Sequence, residues 1–174
     1  MGKRSDFTRR PMDNYPTIDP NAVTPLAPFL AGIRTFAEPC CGEGHLIRHL
    51  ERAGLICIWR SDIAWEESYD ALLLNNFGDV DAIITNPPWT RAILHPMIRH
   101  FQAIAPTWLL FDADWAHTKQ SAPYIDQCSH IVAVGRLRWI EGTNHKGKDN
   151  CCWHRFDAKH TGGPKFVGWD REAA

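Results

Sequence analysis

Ile33-Arg34-Thr35-Phe36-Ala37-Glu38-Pro39-Cys40-Cys41-Gly42-Glu43-Gly44-His45-Leu46-Ile47-Arg48-His49-Leu50 changes character twice within eighteen residues. Residues 33–37 form a short, partly apolar run. The run ends at Glu38, and the proline and two glycines that follow cannot continue a strand. Leu46, Ile47 and Leu50 then recur at helical spacing, and Gly54 is placed to stop the helix. The segment therefore predicts strand, glycine turn and helix, the first half of a parallel α/β unit.

The pattern repeats downstream. Residues 55–59 predict a second strand closed by Asp62, and 70–74 are a short apolar run. Residues 81–85 predict a buried strand leading straight into Asn86-Pro87-Pro88-Trp89. Over 91–104, Ile93, Leu94, Met97, Ile98 and Phe101 share a helical face, with Pro96 weakening the early part. Further strands are expected at 107–111, at 131–134 extending to Ile140, and at 151–156. The last two are joined by a polar loop, 141–150, with no helix between them. Alternation of strands and helices implies a doubly wound, mainly parallel sheet, and the helix-free connection implies an antiparallel hairpin at one edge. The first 30 residues hold five of the twelve prolines and read as an irregular arm, with a short helix over 20–31.

At 174 residues the chain has the length of one domain, and no linker of domain-boundary quality interrupts it. No apolar run approaches the roughly 18 residues of a membrane span, and no apolar signal core follows Met1, so a cytoplasmic location is expected. Cys40-Cys41 and Cys151-Cys152 are adjacent pairs, a poor basis for disulfides. Cys151, Cys152 and His154 with His145 or His160 match no common zinc spacing, and no metal is expected. The net charge of −1 is unevenly spread. Lys3, Arg4, Arg9 and Arg10 crowd the start, acids dominate 38–81, and basic residues outnumber acids over 135–171. Such a distribution suits a polyanion gripped at the periphery as well as it suits a mixed solvated surface.

Two constellations carry chemistry. In the glycine turn, Gly42 and Gly44 let the backbone approach a ligand closely, at the strand ends where doubly wound sheets bind ligands. Glu38 and Glu43 disfavour a phosphate there and favour a ligand bearing a cationic amine. Asp62, 24 residues beyond Glu38, has the offset for a ribose hydroxyl pair. In Asn86-Pro87-Pro88-Trp89 the tandem proline ends the strand and stiffens the backbone. An aromatic amine is a poor nucleophile because its lone pair is delocalised. The Asn86 side-chain oxygen and the Pro87 carbonyl, accepting from both N–H groups, would favour a pyramidal nitrogen that can attack. Trp89 would stack on a base taken out of its duplex.

These two motifs resemble those of class I S-adenosylmethionine-dependent amino-methyltransferases: 38–44 the cofactor turn, 86–89 the (D/N)PP(Y/F/W) motif. The whole pattern is similar to small phage-type DNA adenine N6-methyltransferases. The resemblance implies a single Rossmann-like domain over 1–174, a seven-stranded sheet with its last strand antiparallel, and S-adenosyl-L-methionine as cofactor. It implies catalysis by Asn86, Pro87, Pro88 and Trp89. The arm, with Arg10-Pro11-Met12-Asp13-Asn14-Tyr15-Pro16-Thr17, would pack at the cofactor site through Tyr15, Pro16 and Thr17. Glu38, Pro39, Cys40, Gly42 and Gly44 would hold the cofactor with Asn86. Asp62 and Ile63 would lie at its ribose, and Asp70 and Ala71 at its adenine. Residues 135–140 resemble the late strand before a variable loop.

No separate target-recognition domain is visible, so base reading falls to loops. The candidates are His145, Lys146 and Lys148 in 141–150, and Arg91 and His95 after Trp89. Asp112 and Asp114 are expected to line the cleft or cap a helix, and Trp139, Trp153 and Trp169 to pack the hairpin. The resemblance implies methylation of adenine N6 in DNA. RNA adenine, cytosine N4, a protein glutamine, or a degenerate domain that binds without turnover stay open, and the sequence marks no subunit interface.

Overall fold

The computed structural model describes residues 15–66 and 69–169. Lys3, Arg4, Arg9, Arg10 and the opening of the arm motif, 10–14, lie outside the described residues.

The stretch from residue 33 forms strand β1 (Thr35–Glu38) and helix α1 (His45–Arg52). Leu46, Ile47 and Leu50 are buried against the sheet, and Gly54, at φ +95°, lets the chain turn back. Strands β2 (Ile56–Arg60) and β3 (Ala82–Thr85) follow, then helix α2 (Arg91–Ile104), strand β4 (Thr107–Asp112) and a single helical turn α3 (Ala122–Ile125). The chain closes with β5 (Cys128–Gly135), β6 (Cys151–Phe156) and β7 (Lys165–Val167). Among the described residues these strands make one seven-stranded sheet in the order β2-β1-β3-β4-β6-β5-β7.

β1 pairs in parallel with β2 and β3, and β3 with β4. β6 runs antiparallel to both β4 and β5, and β7 parallel to β5. The expected α/β sheet, mainly parallel with an antiparallel hairpin, is therefore what forms. The hairpin β5–β6 is inserted so that β6 lies between β4 and β5, and β7 supplies the margin. The antiparallel strand is thus the sixth in the chain and not the last.

Alternation along the strands divides the core between the two faces of the sheet. On β4, Trp108 and Leu110 join Phe36, Leu46, Leu50 and Trp153 on one face. Leu109 and Phe111 join Ile83, Phe101 and Trp115 on the other, where α2 presents Leu94, Met97 and Ile98. α2 is continuous through Pro96.

Three expectations change, and an apolar run left without an element acquires one. Residues 20–31 form 3-10 turns, Pro20–Ala22 and Thr24–Phe29, because Pro20, Pro25 and Pro28 remove amide donors an α-helix would need. This part of the arm packs under the sheet: Ala22 and Leu26 are fully buried, and the Trp153 indole donates to the Ala22 carbonyl at 2.7 Å. The apolar run at 70–74 is a 3-10 turn, Ala71–Leu73, capped by Asp70. β5 begins earlier than expected and stops at Gly135, whose φ of +82° breaks the extended run, so 136–150 is all loop. Trp153 is buried as expected, but Trp169 is 57% exposed and lies over Gly135. No helix among the described residues is long and apolar enough to cross a membrane.

Candidate active site

Parallel strands deliver their C-terminal ends to one side of the sheet: β1 ends in Glu38, Asp62 lies two residues beyond β2, and Asn86 directly follows β3. After β1, the turn closes through a Gly44 N–H to Cys41 carbonyl bond of 2.7 Å, with Gly42 at φ +50° and Gly44 at φ +74°. A side chain at either position would be strained. After β2, one Asp62 carboxylate oxygen accepts from the Gly42 amide at 2.7 Å and the other from the Ala64 amide at 3.0 Å. Asp62 therefore ties the two strand ends together and presents its carboxylate to the space between them.

Glu38 is 1% exposed, and its Oε2 atom has no hydrogen-bond partner. Burial, with the negative Asp62 nearby, pushes its carboxyl well above the ordinary carboxylate range, against a smaller opposing effect of the Ile47 amide. A buried carboxylate lacking a partner is costly unless a cation or donor meets it. Oε2 is therefore open to a cation or to a hydrogen-bond donor. Cys41 is buried, its thiol pushed up to about 12 mainly by burial, and the Cys40 thiol is raised further still. Both are neutral and act as small apolar side chains in the turn.

Asn86 follows β3 with both ends of its amide committed. Nδ2 donates to the Tyr15 carbonyl at 2.9 Å and to the Thr17 hydroxyl at 3.2 Å. Oδ1 accepts the Trp89 indole N–H at 3.1 Å. A carbonyl can only accept and an indole N–H can only donate, so the amide has one orientation. Oδ1 keeps a second lone pair for another donor. Trp89 is half-buried and meets Trp139 edge to face, with ring centroids 5.9 Å apart.

Between these strand ends lies a cleft of about 250 Å³. Tyr15, Pro16, Thr17, Glu38, Pro39, Cys40, Gly42, Asp62, Ile63, Asp70, Ala71, Asn86, Pro87 and Pro88 all line it.

No protein-family model matches the chain, and no curated protein sequence does. Solved structures do. A Pyrococcus horikoshii protein assigned as an RNA methyltransferase aligns with a TM-score of 0.58 at 15% identity, over 78% of this chain and 81% of that one. A dimethyladenosine transferase from Plasmodium falciparum gives a TM-score of 0.48 at 14% identity, over 78% of this chain and 60% of its own. A type I restriction-modification methyltransferase subunit from Streptococcus thermophilus gives 0.46 at 11% identity, over 96% and 48%. The fold is the Rossmann-like fold of methyltransferases.

Within this methyltransferase fold, Gly44 stands apart from the cleft: it caps α1 and lines a small neighbouring recess with Glu43, Arg60 and Trp65. Trp89 flanks the cleft lining through Asn86. Asp70 accepts from the Leu72 amide at 2.9 Å as it caps its turn. Arg91 is held by Asp112 at 2.8 Å and donates to the Trp89 carbonyl at 3.4 Å. The other Asp112 oxygen caps the 3-10 turn Ala113–His117 by accepting from the Asp114 amide. His95 is drawn into packing: Nε2 accepts the Trp115 indole N–H at 3.1 Å and the ring lies on Tyr124. His145, Lys146 and Lys148 are exposed on the 136–150 loop.

Sequence reasoning missed Cys41, His45, Leu46, Leu72, Ile93 and Met97 in the lining. Most are apolar residues that periodicity assigns to the core, and they serve both purposes. His45 was detectable as the first residue of the helix after the turn.

Proposed function

We propose that this chain transfers a methyl group from S-adenosyl-L-methionine to the exocyclic amino nitrogen of a nucleic-acid base, with adenine N6 in DNA as the acceptor. The observation that carries the reading is the fixed amide of Asn86 on the same cleft as Glu38, a buried carboxyl with its Oε2 atom unpartnered. The amide suits an amino group that gives up hydrogen bonds, the carboxyl a cation. The choice of adenine in DNA draws on the resemblance of Asn86-Pro87-Pro88-Trp89 to the motif of small phage-type enzymes.

The cofactor supplies, when bound, a methyl group already activated on a positive sulfur. Glu38 would hold its ammonium group, Asp62 its ribose hydroxyls and Asp70 its adenine amine, and all three line the cleft. Tyr15, Pro16 and Thr17 close the same cleft from the arm. The second lone pair of Asn86 Oδ1 and the Pro87 carbonyl accept from the target amine. The sulfur of such a cofactor would keep the C–S electrons as its methyl group passed to the amine, and the part of Asn86 and Pro87 would be to hold the nitrogen lone pair in line, the proton it sheds going to solvent. Alignment supplies most of the acceleration, and no strong base is needed.

The test is incubation with tritiated S-adenosylmethionine and, separately, plasmid DNA, total RNA and cell-extract protein. Label in DNA is expected. Label only in RNA or protein moves the acceptor and keeps the reaction class, and label in none of them overturns both. Asn86→Ala is expected to abolish transfer while the cofactor still binds.

A further inference from the structure

We propose that Trp139, seated on Gly147, is a positioning residue that holds the Trp89–Asn86 pair in its working orientation. The proposal rests on the catalytic reading of Asn86 and concerns a residue of the loop that motif matching left in the hairpin packing. Loop 136–150 leaves the sheet at Gly135 and folds Gly147 back, its N–H donating to the Leu137 carbonyl at 2.7 Å. Leu137 is buried in the core, so Gly147 has a firm anchor. A Cβ at Gly147 would stand 2.8 Å from Trp139 Nε1 and 2.9 Å from Cδ1, closer than real Cβ contacts come. The backbone of Gly147 therefore packs against the Nε1–Cδ1 edge of Trp139, and any larger residue there would displace the ring.

Trp139 in turn meets Trp89 edge to face, with an interplanar angle of 85°. Such a contact fixes the tilt of a ring more tightly than apolar burial alone. The tilt of Trp89 decides where its indole N–H points, and that N–H is the donor on Asn86 Oδ1. Phenylalanine at 89 would stack on a base but would leave the amide without this donor. Contact thus runs from Gly147 through Trp139 and Trp89 to Asn86. The loop is held to the arm as well, by the Arg138 amide donating to Asp19 Oδ2 at 3.1 Å. The same loop exposes His145, Lys146 and Lys148, so whatever engages it bears on the catalytic amide.

The experiment uses the full chain carrying 5-fluorotryptophan, with the Trp89 resonance identified through Trp89→Phe. Trp139→Leu, Trp139→Phe and Gly147→Ala are compared with the parent by fluorine NMR, by calorimetric titration with S-adenosylmethionine, and by methyl transfer to plasmid DNA. Trp139→Leu and Gly147→Ala are expected to shift the Trp89 resonance and lower kcat about tenfold at a temperature where both are folded, with cofactor affinity unchanged. Trp139→Phe, which keeps an aromatic edge, is expected to recover most of both. An unmoved Trp89 resonance in folded Trp139→Leu or Gly147→Ala overturns the proposal, as does an unchanged kcat. If Trp139→Leu does not fold, Gly147→Ala decides. A parent protein that methylates nothing counts against the proposed function, and the fluorine shift then decides the positioning alone.

Discussion

Glu38 is held where a carboxylate is least comfortable: buried, near Asp62, with one oxygen unpartnered. Its folded pKa lies above the ordinary 4.5, so the native state keeps a proton that the unfolded chain has lost. The stability it contributes is full below that ordinary value and is lost as pH rises through the raised one. Glu38→Gln is therefore expected to raise the melting temperature of the cofactor-free protein at neutral pH. The same change is expected to weaken S-adenosylmethionine binding about tenfold or more, because the cation loses its counter-charge. Melting curves and titration calorimetry check the two directions, and movement of both the same way contradicts the ammonium-site account. At this scale Glu38, Asp62 and Asn86 were legible because each closes a strand where ligands bind. The partners of Asn86 were not. Nothing in local sequence says that an amide at 86 meets a carbonyl at 15 or an indole three residues on, since those contacts depend on the path of the arm and the tilt of one ring.

Helix α2 shows how an element can be legible despite a local contradiction. Its apolar spacing predicted 91–104, and the helix forms over that span although Pro96 sits inside it. Burial of Leu94, Met97, Ile98 and Phe101 against the sheet outweighs one missing amide bond. Phe101 is fully buried and packs edge to face on Phe77, so Phe101→Ala is expected to cost about 3–5 kcal/mol. Urea denaturation checks it, and a loss under about 1 kcal/mol would mean that the face collapses freely. Elements without a period were not legible. β7 has three residues, two of them exposed, and offers no alternation to detect. The arm at 20–30 has its prolines in view, but that it lies in the core shows in the burial of Ala22, Val23, Leu26 and Leu30.

For the whole molecule, strand–helix alternation was enough to predict a mainly parallel sheet, and the helix-free connection between β5 and β6 was enough for the hairpin. Strand order was not in the sequence, because the insertion of β6 between β4 and β5 is a matter of long-range pairing. That insertion gives the sheet a densely paired centre and two lightly held margins, β2 and β7. Amide hydrogen exchange is accordingly expected to be slowest in β4 and β6 and fast in β2 and β7. Equal protection across the sheet contradicts this picture. The margins can loosen without disturbing the claim at the centre, that Asn86 and Glu38 face one cleft to move a methyl group. The most direct measurement of that claim is mass spectrometry of nucleosides from plasmid DNA, after incubation with deuteromethyl S-adenosylmethionine and either the parent protein or Asn86→Ala. Deuteromethyl N6-methyladenine is expected with the parent and none with the variant. No deuteromethylated nucleoside from the parent, or equal amounts from both, would contradict it.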